Sequence, residues 1–169
     1  MTALRAIDAQ DSVSSEIEIA APPERVFLAL TDPKQLFVWW GKEPSVELTI
    51  FEMDARRGGK WRFSCRPAPG SDHGEVGKRI QRLNAEEFEA HGELLEYDPP
   101  RLLVWSWIAN WHEKPSLQTT VRWELTATRK GTRVRVTHSG LAQDSTAYKD
   151  YTSGWPGVLK LLSEYIHTA

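Results

Sequence analysis

The chain opens on an alternation. Between Ser14 and Ala20, Ile17 and Ile19 share one parity while Glu16 and Glu18 take the other, which predicts a half-buried strand with one wet face. Pro22 and Pro23 follow, and prolines are tolerated in the first turn of a helix. Val26, Phe27, Ala29 and Leu30 then form an apolar helical stripe. Thr31-Asp32-Pro33 ends it, because the residue before a proline is biased away from the helical region. Asp32 is placed to cap a second short helix beginning at Pro33. That helix carries Leu36, Phe37, Trp39 and Trp40, with Gly41 as its end signal.

From Val46 onward the pattern becomes that of strands. Residues 46–54 form one, Arg57-Gly58-Gly59 a turn, and residues 60–66 another, with Trp61, Phe63 and Cys65 opposite Arg62, Ser64 and Arg66. Residues 67–74 read as a loop. Residues 75–83 are ambiguous: Val76, Ile80 and Leu83 fit helical spacing, but the segment also extends a strand. Phe88 to Tyr97 is a strand, turned by Asp98-Pro99-Pro100. Leu102 to Ala109 is apolar on both faces and therefore central. Thr119–Thr128 and Thr132–His138 make a hairpin around Lys130-Gly131. Trp155, Val158, Leu159, Leu162 and Ile166 give an amphipathic C-terminal helix. Strands linked by hairpins, with helices set apart from them, predict an α+β fold on an antiparallel sheet. The expected organisation is one domain over residues 13–169 behind a flexible tail, residues 1–12. A sheet of this length curls, and a helix in its concave face leaves a gap of the kind that holds ligands.

Composition narrows the partners. The net charge of −2 over 169 residues argues against a nucleic-acid or anionic-membrane surface, which needs clustered Lys and Arg. No stretch is apolar enough to span a bilayer or serve as a signal peptide, so a cytoplasmic protein is expected. One cysteine, Cys65, precludes an internal disulfide. Eight tryptophans stand out. Each buries about 150–250 Å², and a Trp-rich core accounts for most of them.

Several segments together resemble a known family. APPERVFLALTDPKQLFVWWG, RRGGKWRF, GELLEYDPPRLLVWSW, TRVRVTHSG and the GW before the last helix are similar, in this order, to domains of the heat-shock-protein-90 ATPase activator-like family. The likeness spans residues 15 to 166. That family belongs to the helix-grip superfamily of START domains, Bet v allergens and polyketide cyclases. The resemblance implies a curved antiparallel sheet of about six to seven strands wrapped around the C-terminal helix, two short helices after the first strand, and an apolar cavity. The chaperone activator carries a further amino-terminal half with no counterpart here, so chaperone activation is not expected. Two departures from the family stand out. Pro156 lies where the helix would continue, which predicts a kink there or a helix restarting near Ser153 or Gly154 with Ser153 as cap. Residues 67–87 are long for the family; they form a solvated excursion or, as a hypothesis, a lid over the cavity.

Candidate site residues follow from strand parity. Trp105 pairs with Trp107, and Trp61 with Phe63. Facing Trp155 and Leu159 of the helix, they form an aromatic cavity floor or simply pack as core. Of the neighbours Trp39 and Trp40, which cannot fill one hole, one anchors the second helix and the other points to the cavity mouth. His138 shares parity with Val134 and Val136 and faces inward. It either meets a ligand or, as the stronger reading, is a buried histidine held by a backbone carbonyl. Ser139 faces away from it and no acid is placed to orient it, which excludes a hydrolase triad. Glu52 and Glu93, flanked by apolar residues, would have raised pKa values if they faced the cavity. His73, His91, His112, His138 and His167 lack the spacing of a zinc site, and Gly58-Gly59 lacks the pattern of a phosphate loop. No catalytic residue, metal or cofactor is expected. Three functions remain: binding a hydrophobic or aromatic small molecule through Trp39, Trp40, Trp61, Phe63, Trp105, Trp107, His138, Trp155 and Leu159; a cyclase-like enzyme moving a proton through His138, Glu52 or Glu93; and an interaction domain for a chaperone or client, which needs an exposed apolar patch. A homodimer is open, two-fold dimers being the commonest oligomers.

Overall fold

The computed structural model describes residues 10–42, 46–68, 78 and 87–168. Tail residues 1–9, most of the ambiguous segment 75–83 and most of residues 67–87, read as a solvated excursion or a lid, lie outside the described residues.

Strand β1 (Val13–Ile19) is followed by α1 (Pro23–Thr31) and α2 (Pro33–Trp39). Six strands come next: β2 (Val46–Met53), β3 (Lys60–Pro67), β4 (Phe88–Asp98), β5 (Leu102–Ala109), β6 (Thr119–Ala127) and β7 (Thr132–Ser139). The chain closes with α3 (Ser145–Thr168). All seven strands join one sheet in the order β1-β7-β6-β5-β4-β3-β2, and every neighbouring pair is antiparallel. The sheet curls into a half-barrel around α3, the α+β helix-grip architecture. Register shifts between Leu48 and Ile50 in β2 and between Leu94 and Glu96 in β4 supply bends, since a bulge kinks its strand and raises local twist.

β5 is the central strand, and its run from Leu102 to Trp107 is buried throughout. Its inner face carries Trp105 and Trp107 into the core. On its outer face Val104 stands between Glu96 of β4 and Arg122 of β6. The Arg122 guanidinium reaches Glu96 at 3.6 Å and Glu124 at 3.3 Å, so long charged side chains cover Val104 with their stems while their heads stay in water.

Gly92 in β4 is required by a cross-strand contact. The Trp61 indole N–H passes from β3 to donate to the Ser106 carbonyl of β5 at 3.0 Å. A Cβ on Gly92 would lie 1.9 Å from that carbonyl oxygen and 2.8 Å from the indole nitrogen. The ladder opens here, and the Glu93 N–H turns to the Ser106 hydroxyl at 2.8 Å instead.

The two short helices hinge on Asp32. Its N–H closes α1 on Leu28, and its side chain accepts from the Lys34 N–H at the start of α2. The Trp39 indole then donates to the Ala29 carbonyl at 2.9 Å, locking α2 onto α1. Trp40 leaves the helix in an extended conformation (φ −70°, ψ 134°), and Gly41 takes the left-handed region at φ 66°. The consecutive indoles therefore point to different places.

Of the two expectations at Pro156, a kink or a restart, the structure excludes the restart. The helix does not restart at Ser153; it runs unbroken from Ser145 through Pro156 to Thr168. Its cap is the buried Asp144, whose carboxylate accepts from the Ala147 N–H at 2.9 Å and the Glu113 N–H at 2.9 Å. The proline is tolerated because it is exposed together with Thr152, Ser153 and Gly154, so the carbonyl deprived of its partner faces water. Ahead of β1, Asp11 accepts from the Gly140 and Ala142 N–H groups, at 3.2 Å each, tying the β7–α3 loop to the first strand.

Replacing Gly92 by Ala should lower stability by about 3 kcal/mol, because backbone from two strands must shift. Urea unfolding measures it; a change below about 0.5 kcal/mol would contradict the close approach described.

Candidate functional site

A cavity of about 340 Å³ opens between the concave sheet and α3. Trp40 and Gly41 wall it at the end of α2, Val46 at the start of β2, Phe63 from β3, and Trp107 and Trp111 from β5 and the loop after it. From α3 come Asp150, Tyr151, Gly154, Trp155, Val158 and Leu161. A wider depression of about 450 Å³ lies on the outer face of β2–β4, lined among others by Glu52, Arg62, Glu89 and His91. It sits over surface ion pairs, whereas the cavity at α3 offers buried apolar wall, the usual character of a small-molecule site.

The structure divides the sequence-derived candidates. Trp40, Phe63, Trp107 and Trp155 line the cavity. Trp61, Trp105, His138 and Leu159 are buried behind them and are not part of its lining. Trp105 and Trp107 stack at an interplanar angle of 3°, and Trp61 stands 5.0 Å from each, centre to centre, so these rings pack chiefly on one another. Trp39 borders a different groove, beside Val38, Leu161 and Tyr165. Trp39 is thus the anchor and Trp40 the residue at the cavity; Trp40 touches Phe51, Phe63, Trp105, Trp107 and Trp155.

Glu52 and Glu93 do not face inward. Glu52 makes a two-pronged contact with Arg62, at 3.0 and 3.1 Å, on the exposed face of the sheet. The hydrogen bond and charge of Arg62 hold its carboxyl below the usual carboxylate range, opposite to the rise expected of a buried acid. Glu93 shares strand parity with the outward-facing Glu89 and His91, one residue from the buried Leu94. The raised pKa expected only for an inward-facing carboxylate therefore does not arise, since in a strand apolar neighbours face the opposite way.

His138 is fully buried, as expected, but side chains rather than a backbone carbonyl hold it. The Trp155 indole N–H donates to Nδ1 at 3.2 Å. Nδ1 is therefore unprotonated, Nε2 carries the proton, and that N–H meets the Thr119 hydroxyl at 2.7 Å. Thr119 in turn donates to the Trp107 carbonyl at 3.1 Å. Burial pushes the His138 pKa well below the ordinary histidine value, and nearby His112 adds to the effect.

A second polar group went unread in the sequence. The Tyr151 hydroxyl accepts from the Trp107 indole at 2.9 Å and shares a 2.6 Å hydrogen bond with His112 Nε2. Burial drives the Tyr151 pKa upward, opposed by hydrogen bonds from Trp107 and Trp111, so it stays a neutral phenol. Tyr151 lies one turn before Trp155, and extending the helical stripe past Pro156 finds it. Trp111 and His112 follow β5 in a loop and obey no period. Among the described residues, no group of three His, Cys, Asp or Glu side chains is close enough to hold a metal ion.

Residues 20–167 match the family described as activator of Hsp90 ATPase homolog 1-like proteins. The chain belongs to that family. No functionally curated protein matches it. Among solved structures, a protein of Nitrosomonas europaea shares 21% identity at a TM-score of 0.71, covering 95% of this chain and 97% of that one. A protein of Chromobacterium violaceum shares 19% at a TM-score of 0.73, covering 92% and 97%. The AHSA1 protein of Silicibacter pomeroyi shares 18% at a TM-score of 0.71, covering 93% and 98%. At such identities the likeness is one of fold. No helix among the described residues of this AHSA1-like chain is long and apolar enough to cross a membrane.

The neutral His138 makes stability depend on pH. Its folded pKa lies below the unfolded value, so the unfolded chain binds the proton first. Stability is full above about pH 6.5 and should fall as pH drops below it, by up to about 1.4 kcal/mol per pH unit. Urea unfolding between about pH 5 and 7.5 tests this, with His138→Gln expected to flatten the slope. Constant wild-type stability across that window would contradict the assignment.

Proposed function

We propose that the protein binds a compact hydrophobic or aromatic small molecule in the cavity between the sheet and α3. The observation that carries this reading is the wall itself: Trp40, Phe63, Trp107, Trp111, Tyr151 and Trp155 converge on about 340 Å³, near the lower bound of drug-sized pockets, about 300–1,000 Å³. The rings behind the wall are held by one another and by internal hydrogen bonds, which favours a preformed site. The cyclase-like alternative has less support. Glu52 and Glu93 face outward, and His138 is occupied on both nitrogens. The interaction-domain alternative draws on Leu28, Phe37 and Val38, each about half exposed on the short helices; a chaperone or client contact would use that surface instead of the cavity.

Gly154 supplies a blocking variant. It borders the cavity, and a Cβ there meets nothing within 4 Å. Gly154→Leu should fill the mouth and raise stability by about 0.5–1 kcal/mol through better helix propensity. Native mass spectrometry of freshly purified protein, then tryptophan fluorescence against lipids, flavonoids and polyketides, should show a bound mass or saturable quenching that Gly154→Leu abolishes. No bound mass and no quenching by any compound would defeat the reading, as would quenching unchanged in the variant.

A further inference from the structure

Most polar side chains of the cavity wall already have partners inside the protein. Trp107 donates to the Tyr151 hydroxyl at 2.9 Å, and Trp155 donates to His138 Nδ1 at 3.2 Å. Trp111 also hydrogen-bonds to Tyr151, whose hydroxyl meets His112 at 2.6 Å. Asp150 is engaged as well. Trp40 is the exception. Its indole N–H meets no acceptor among the described residues. The ring leaves α2 into a cluster of aromatic carbon, with the centres of Phe51, Phe63, Trp105, Trp107 and Trp155 between 5.6 and 6.3 Å away.

Burial in the core does not account for this donor. Trp105 and Trp123 also lack a conventional acceptor, but their nitrogens are sealed from solvent. The Trp40 nitrogen is not among the sealed ones. The residue is only 6% exposed, and it lines the cavity. A donor on a side chain more than nine-tenths buried is thus left at the wall of a pocket whose other indoles are satisfied internally.

An indole nitrogen donates and does not accept, so it favours an acceptor in whatever covers it. A hydrocarbon laid over Trp40 takes the N–H out of water and returns no hydrogen bond, which disfavours the complex. The acceptor should also be uncharged. None of the described lining side chains is cationic, and the one charged residue among them, Asp150, is itself an acid. A carboxylate would lose its hydration there without meeting a counter-charge.

We infer that the occupant is a compact, neutral, mostly apolar molecule with a carbonyl oxygen, which accepts the hydrogen bond of Trp40 Nε1 while its carbon skeleton packs against Phe63, Trp107 and Trp155. This inference rests on the reading of the cavity as a small-molecule site and specifies its chemistry. One polar anchor in an apolar wall sets orientation as well as affinity. The oxygen lies toward the end of α2 and the carbon skeleton toward α3.

The test uses three probes of similar outline. Acetophenone carries the carbonyl, α-methylstyrene replaces its oxygen with a methylene carbon, and benzoate carries a charged carboxylate on the same ring. Affinities for the full chain and for Trp40→Phe, which keeps a ring and removes the N–H, are read by NMR titration. Trp40→Phe should weaken acetophenone about fivefold more than α-methylstyrene, the effect of one net hydrogen bond. Benzoate should bind the wild-type chain at least about tenfold more weakly than acetophenone. In the wild-type chain the assigned Trp40 indole proton should move downfield with acetophenone and not with α-methylstyrene, a readout that does not depend on the variant folding. Equal losses of the two neutral probes in Trp40→Phe, or equal indole shifts, overturn the carbonyl inference and leave the apolar binding site standing. Benzoate binding as tightly as acetophenone overturns it too. Binding of neither neutral probe also overturns it, and if no other compound binds, the reading of the cavity falls with it.

Discussion

One imidazole joins the helix to the centre of the sheet. His138 on β7 accepts the indole N–H of Trp155 from α3 and donates its Nε2–H to the Thr119 hydroxyl on β6, which donates in turn to the Trp107 carbonyl of β5. Three strands and the helix thus meet through polar contacts at a point where every participant is buried. An unmatched polar group there would cost about 1–3 kcal/mol, so the helix can settle in few other positions. With α3 fixed in rotation, Tyr151 one turn earlier faces Trp107 and His112, and Leu159, Leu162 and Ile166 later in the helix meet the curled sheet.

The tryptophans divide by what their N–H groups find. Trp39, Trp61, Trp107 and Trp155 each donate to a definite acceptor and thereby tie two elements together. Trp105 and Trp123 are buried without a conventional acceptor among the described residues. Trp123 meets Trp155 edge-on at 88° with centres 5.6 Å apart, the arrangement in which a donor can rest against a π face. Indoles fixed by hydrogen bonds keep their planes, and Trp107 and Trp155, fixed in this way, both line the cavity.

Much of this was legible in the residues. The alternation of Ile17 and Ile19 with glutamates, the two-faced apolar run of β5, the turn at Lys130-Gly131 and the cap at Asp32 are local signals, and the structure follows them. The motifs in order carried the family. Legibility stopped where the answer depended on elements far apart in the chain. Strand parity shows which residues share a face, but it cannot say that Phe63 reaches the cavity while Trp61 bonds behind it to Ser106. The hydrogen bond from Tyr151 to His112 crosses from helix to loop with no spacing to betray it. The restart expected near Ser153 is absent because propensity is local, whereas the cost of Pro156 depends on which face of the helix meets water.

The hinge at Asp32 has a wider consequence. Asp32 is the last contact of α1 and the first of α2, and the chain from there to Gly41 closes on itself through Trp39 before Trp40 emerges toward the cavity. From this segment Trp40 and Gly41 join the cavity wall, beside side chains of β2, β3, β5 and α3. Most of that wall (Phe63, Trp107, Tyr151, Trp155) also belongs to the buried core, so a change in the shape of the cavity is at the same time a change in the packing that holds helix to sheet.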